Sequence, residues 1–383
     1  MFVSMKGTNL YMYYIFLTIL FLYACAIAII SNRIKKKDII ILYVFFLIAL
    51  SFLFAIRPSE VPDFNSYKRI FTIINNLEKY TPNILKREPT TDTEYGFIGI
   101  VLLFKIIFGD LYRFFLFLIT IVSLHITVIY IKKLALLIDP KSHVNYISIL
   151  VLFFPYYGMY YQGIAIRGGI AIMFIIMTLY YYIKKKYFLS MCAVFLGFII
   201  QRMSILALLV CAIYQFFPVL KKRIYYFAAM IMIIVAVICN FTQGKILIPL
   251  YNLIGIIFSK IFTIVDYSGY LSRADVNRII DKKRLFVLFV FAALIFFINE
   301  SDIALKRILN LVFASAILIF ATLSIVGSER IFDLFSCFSV VILSIKLGDE
   351  KSTYPKWYIH CFSLIYMICN FFIAVRVWMN PNV

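Results

Sequence analysis

The sequence predicts an all-α, polytopic integral membrane protein. A single transmembrane domain spans residues 1–383, with about twelve transmembrane helices and interfacial helices on its outer face. Hydrophobic residues make up 64% of the 383 and mean hydropathy is +0.98, far above the roughly 45 to 50% apolar content of a soluble domain. Windows of about 15 to 22 residues with almost no charge recur along the chain, and a bilayer core takes about 20 apolar residues per helix. The net charge of +20 comes mainly from Lys and Arg between the apolar runs. It therefore reports topology and an anionic lipid or substrate rather than nucleic acid.

The first apolar run has spanning length and no small-residue cleavage site, so 11–30 is read as a span and not as a cleaved signal. The second span, 39–56, ends at Arg57. An outer loop over 57–93 then carries Phe64, Tyr67, Ile70, Phe71, Ile74 and Leu77 at helical spacing. That stretch is expected to lie flat on the membrane surface. Residues 95–109 are short, contain Lys105 and would upset the parity of the flanking loops, so they are read as a half-inserted or interfacial helix. Spans follow at 111–131, 144–162, 164–183, 187–201, 203–218 and 225–241. A second outer loop, 242–284, contains an apolar stretch at 246–265 that would invert everything downstream if it crossed. The last spans are 285–299, 308–326, 331–345 and 357–378. Basic loops at 33–37, 132–141, 184–186 and 221–223 belong in the cytoplasm by the positive-inside bias, which leaves both termini outside.

No phosphate-binding glycine loop, dinucleotide fingerprint, HExxH or nucleophile-elbow motif is present. The seven cysteines lie in apolar runs without paired spacing. His125 stands alone in a span, while His143 and His360 sit at span ends. No metal and no cofactor is expected.

The topology gathers six ionisable residues at the outer face: Arg57, Asp63, Glu94, Arg167, Arg202 and Arg330. Each has a plainer reading. Arg57, Arg202 and Arg330 suit snorkelling from span ends, Asp63 suits an N-cap after Pro62, and Glu94 suits the first turn of a helix. Arg167 resists such a reading, because it lies about one turn inside a span beside Gly163, Gly168 and Gly169, where a charge is costly unless paired or solvated. Pro155, Tyr156, Tyr157, Tyr160 and Tyr161 just before it suit an interfacial aromatic belt or stacking on sugar rings. Converging arginines suit phosphate oxygens, which guanidinium groups bind bidentately. A lipid diphosphate would set its charge at this depth and its tail in the bilayer, with Asp63 or Glu94 as general base.

These residues resemble a family, the EpsG-type and Wzy-type polymerases of bacterial polysaccharide repeat units. Arg57-Pro58 followed by Asp63-Phe64-Asn65-Ser66-Tyr67 is similar to the family's arginine, then aspartate with a tyrosine four residues on. Glu94-Tyr95-Gly96-Phe97 resembles its Glu-x-Gly-Phe element, Ile166-Arg167-Gly168-Gly169-Ile170-Ala171 its Arg-Gln-Gly-x-Ala element, and Arg330 with Leu334-Phe335 its late arginine followed by Tyr-Phe. Gly168 departs from the usual glutamine, and Arg202-Met203-Ser204 stands where the family often has His-x-Ser. The resemblance implies an enzyme of the bacterial inner membrane that joins polyprenyl-diphosphate-linked oligosaccharides on the periplasmic or outer side into O-antigen, capsule or exopolysaccharide. Arg167, Asp63 and Glu94 would be catalytic, and Arg57, Arg202, Arg330, Tyr67 and Tyr160 would bind the diphosphate substrate. Membrane lipid and a chain-length regulator are the implied partners, with no nucleic acid. A flippase of the same lipid-linked sugar, or another polyprenyl-phosphate glycosyltransferase or ligase, are the competing readings.

Overall fold

A computed structural model describes residues 8–30, 34–59, 61–74, 94–242, 282–321, 329–349 and 355–379, all of them helix or short connection. Each of the twelve spans drawn from the sequence is helical over its described residues, the one at 308–326 as far as Ala321. The first is α1 (Thr8–Ile30), followed by α2 (Lys36–Ala55), the short α3 (Phe64–Ile73) and α4 (Tyr95–Phe108). Next come α5 (Tyr112–Ile138), α6 (Tyr146–Phe153) continuing as a π-helix (Phe154–Gln162), α7 (Ile166–Ile183), and α8 (Tyr187–Ile200). A 3-10 turn (Arg202–Ile205) leads into α9 (Leu206–Phe216) and then α10 (Lys222–Phe241). The last helices are α11 (Lys282–Phe297), α12 (Ile303–Ala321), α13 (Glu329–Ser336), α14 (Phe338–Gly348) and α15 (Lys356–Met379). The span expected at 331–345 is one helical stretch with a single turn residue at Cys337, whose N–H still reaches Asp333 O at 3.1 Å. By length and composition, seven helical stretches among the described residues can cross a bilayer, and four shorter apolar helices accompany them.

Burial is inverted relative to a soluble protein. The outer surface of α10 carries Phe227, Met230, Ile231, Ile234 and Val237 exposed, and α8 does the same with Phe188, Met191, Phe195 and Leu196. Lipid is the solvent that tolerates such faces. At the centre, α7 buries Ile172, Ile175, Ile176 and Leu179 completely, packed between α5, α8 and α9.

A second apolar cluster sits at one end of the bundle. Phe64, Tyr67 and Phe71 of α3 pack with Phe97, Val101 and Phe104 of α4, Phe115 of α5 and Ile166 of α7. The apolar face of α3 is therefore spent on protein, not lipid, which corrects the expectation that it lies flat on the membrane. Its other face, Asn65, Ser66, Lys68 and Arg69, is exposed. The helix ends at Ile73, so Leu77 lies outside the described residues. With 14 residues, α4 reaches about 21 Å at 1.5 Å per residue, the same length as α8. Leu103, Ile106 and Ile107 face outward on it.

The opposite end is tied by polar contacts between the expected cytoplasmic loops. The His143 N–H donates to Gly348 O at 2.9 Å, Lys222 N–H to Glu300 Oε1 at 2.8 Å, and Lys346 Nζ to Asp302 Oδ2 at 3.4 Å. Lys222 Nζ also donates to Phe296 O at 2.9 Å. The start of α10 and the end of α11 thus meet, so the two run antiparallel and chain positions 242 and 282 lie on the same side. The helices after the second outer loop keep the expected orientation. The stretch 246–265 itself lies outside the described residues.

Candidate active site

The end of the bundle holding α3 and α4 collects the charged residues singled out in the sequence. Gly96 has a steric role in this, since a Cβ there would fall 2.5 Å from Ile199 Cγ2 and 2.8 Å from the Ile199 backbone. The missing side chain lets α4 press against the end of α8. Glu94, the residue before α4, then stands beside the 3-10 turn. Its carboxylate does not cap its own helix, as its expected place at a helix start would suggest. Instead Oε1 accepts from the Arg202 N–H at 3.4 Å, and Oε2 pairs with Arg167 Nη1. The side chains are 11% and 25% exposed respectively, so Arg167, one residue into α7, meets its counterion largely out of solvent. Tyr67 completes this group: its hydroxyl accepts from the Arg167 backbone N–H at 3.4 Å and also hydrogen-bonds the guanidinium. Arg202 contributes its backbone, while its side chain is exposed.

Arg57 is fully buried at the end of α2. Nη1 donates to Phe54 O at 3.1 Å, the Phe64 ring covers it at 5.4 Å, and Nε and Nη2 find no hydrogen-bond partner among the described residues. Burial pushes this guanidinium below its ordinary pKa, opposed by Tyr112, Tyr13, Tyr67 and Asp63. Orphaned donors on a buried cation are costly and ask for an acceptor. Arg113 of α5 lies against the same Phe64 ring at 5.5 Å and donates to the carbonyls of Ala55 at 3.0 Å and Arg57 at 3.4 Å. It closes the end of α2 and was not singled out in the sequence. A cation in the first turn of an apolar span, at the outer level, was the available signal.

Asp63 occupies the N-cap position of α3, but its carboxylate makes no capping bond and its backbone is left-handed, with φ 61. The capping expectation fails on that geometry. The carboxylate acts electrostatically on both Arg57 and Arg330. Arg330, in the first turn of α13, hydrogen-bonds Tyr160, which stands half-buried on the π-helix.

The tyrosine run is not an interfacial belt, since Tyr156, Tyr157 and Tyr161 are buried. In the π-helix, Gly163 N–H reaches Gly158 O at 3.1 Å and Ala165 N–H reaches Tyr160 O at 2.9 Å, five residues back in each case. Tyr156 and Tyr160 then stack with centroids 5.6 Å apart and planes 5° apart. Gly168 and Gly169 serve this packing rather than a ligand: a Cβ on either would fall 2.7 Å from Tyr161 or Gln162.

Inside the bundle, one turn along α13 from Arg330, Asp333 is 1% exposed. Its Oδ2 accepts from Tyr156 at 2.6 Å, Tyr161 at 2.9 Å and Lys283 Nζ at 2.9 Å. Sequence reading passed over both ions, although a carboxylate inside the span 331–345 was a signal in itself. Lys283 falls within the outer loop expected over 242–284.

Chemically, the face offers guanidinium groups that stay protonated and suit phosphate oxygens, two carboxylates in different surroundings, and an adjoining bilayer. The three histidines are elsewhere: His125 bonds Tyr43 at 2.7 Å within the bundle, and His143 and His360 line a small cleft at the opposite end. A family model described as the EpsG family matches residues 40–381. No curated protein and no solved structure matches the chain.

Proposed function

The chain belongs to the EpsG family, and we propose that it is a polymerase joining polyprenyl-diphosphate-linked oligosaccharide repeat units at the outer face of the bacterial cytoplasmic membrane. The observation that carries this reading is the gathering of Arg57, Arg167, Arg202 and Arg330 with Asp63 and Glu94 at one end of a membrane-embedded bundle. A diphosphate on a lipid tail is an anion delivered at headgroup depth, where such a cluster can meet it. The growing saccharide, a polysaccharide of O-antigen, capsular or exopolysaccharide type, would remain outside.

In the reaction, a hydroxyl oxygen of one lipid-linked unit attacks the anomeric carbon of another. The new C–O bond forms as the bond from that carbon to the diphosphate breaks. The hydroxyl proton goes to a carboxylate, and lipid diphosphate leaves with the bonding electron pair. Asp63 suits the base. Both oxygens of Glu94 are already engaged, one by the Arg167 guanidinium and one by the Arg202 N–H, whereas Asp63 caps nothing. Glu94 then holds Arg167 in place. Arg57, Arg167 and Arg330 stabilise charge developing on the departing diphosphate, Arg202 lies at the exposed rim, and Tyr67 and Tyr160 orient the arginines they bond. A chain-length regulator is a further partner of this reading.

Arg167→Ala tests the assignment in cells. Elongated polysaccharide should disappear while the protein remains in the membrane at normal abundance. Unchanged ladders would remove Arg167 from the site.

A further inference from the structure

Lys283 and Asp333 lie beyond the proposed site, yet they tie the π-helix, α11 and α13 together beside Arg330. Asp333 Oδ2 takes hydrogen bonds from two tyrosines of the π-helix and from the first turn of α11. Ser336, one turn further along α13, bonds Tyr157 at 2.8 Å. The Lys283 ammonium stands over three rings, Tyr156 at 4.7 Å, Phe332 at 5.1 Å and Tyr160 at 5.4 Å. Tyr160 is thus gripped from two sides, by Lys283 on its ring and by Arg330 on its hydroxyl. Arg330 itself rides three residues ahead of Asp333 on the same short helix.

A buried ion pair contributes little net stability, because desolvation offsets the attraction. Its use is more often to fix one arrangement among several apolar alternatives. Here Arg330 and Asp333 share one turn of α13, so whatever holds Asp333 also sets the direction in which Arg330 leaves the helix.

We infer that Lys283 and Asp333 are positioning residues: through Tyr156, Tyr160 and Tyr161 they fix the rotation of α13 and so set where Arg330 stands opposite Asp63. They touch no substrate. The inference rests on the proposed role of Arg330 for its consequence in binding, but not for the geometry itself.

The test uses the purified full chain in nanodiscs and two readouts. The first is affinity for a short-chain prenyl diphosphate, in Lys283→Met, Asp333→Asn, and the double variant. Each single variant leaves an uncompensated or weakened buried charge, and binding should fall about tenfold. In the double variant the Asn carbonyl still accepts from the tyrosines and no charge is stranded, so affinity should return to within about threefold of wild type. Thermal unfolding of all three verifies that they are folded. The second readout needs no substrate: in Arg330→Cys protein otherwise free of cysteine, maleimide labelling from outside should change severalfold on adding Lys283→Met and revert on adding Asp333→Asn as well. Labelling that ignores Lys283→Met, or folded double variants no better than the singles by both readouts, overturns the inference. If labelling responds as expected while Arg330→Ala leaves prenyl diphosphate binding intact, the positioning stands and the proposed role of Arg330 falls.

Discussion

Asp63 holds a left-handed backbone, φ 61, which a residue with a Cβ adopts at a cost of order 1 kcal/mol or more. Strain retained where the side chain caps nothing points to a use for the carboxylate. Glycine separates the two effects. Asp63→Gly should unfold at an unchanged or higher temperature, since the strain is relieved. It should also lower the elongation rate by about 10² to 10⁴, the usual worth of a general base. Thermal melts and initial rates on the same preparation decide this, and an undiminished rate would pass the base role to Glu94. At this scale the sequence disclosed which side chains are unusual but not their partners. Arg167 stood out because a charge one turn into an apolar span is costly, yet nothing in the order of residues said that Glu94, 73 positions away, would neutralise it. Asp333 and Lys283 were missed because each looks ordinary alone, and only the fold makes them a pair.

Among the elements, α4 carries the site by its contact with α8. The Glu94-Tyr95-Gly96-Phe97 element reads as two packing residues beside one charged residue: Gly96 admits Ile199, and Phe97 is 1% exposed in the α3–α4 cluster. Gly96→Ala should therefore act at a distance. Its methyl group forces the helices apart at a cost of about 1 to 3 kcal/mol, pulling Glu94 from the Arg202 N–H. A lower melting temperature together with weaker prenyl diphosphate binding is expected, and an unchanged affinity would show that the α4–α8 spacing does not set the site. Periodicity located α3 and an apolar run located α4, so both helices were legible. That α3 docks on protein was not, because an amphipathic face reads alike whether lipid or a neighbouring helix covers it. The π-helix was invisible for a related reason: the close approach of Tyr161 and Gln162 to Gly168 and Gly169 is a contact of the fold, not of the local sequence.

For the whole molecule, hydropathy and the basic loops sufficed to predict a polytopic helical bundle, because each leg is dictated by bilayer thickness. Interleg contacts then settled what counting could not, since Lys222 meets Phe296 and Glu300, which brings the end of α11 back to the side where α10 began. Orientation makes a direct prediction. A cysteine replacing Ser66 on the exposed face of α3 should react with an impermeant maleimide on intact cells, and one replacing Lys185 only after permeabilisation. The reverse pattern would put the arginine face in the cytoplasm, away from any polymerisation outside. The central claim is that this face breaks the bond between a sugar and its lipid diphosphate to make a new glycosidic bond, and its most direct measurement is stoichiometric. Purified protein in proteoliposomes, given lipid-linked repeat units, should release one polyprenyl diphosphate per linkage formed, with both products lost in Asp63→Asn. Sugar crossing the bilayer with no diphosphate released and no linkage made would contradict the account and mark the protein as a transporter.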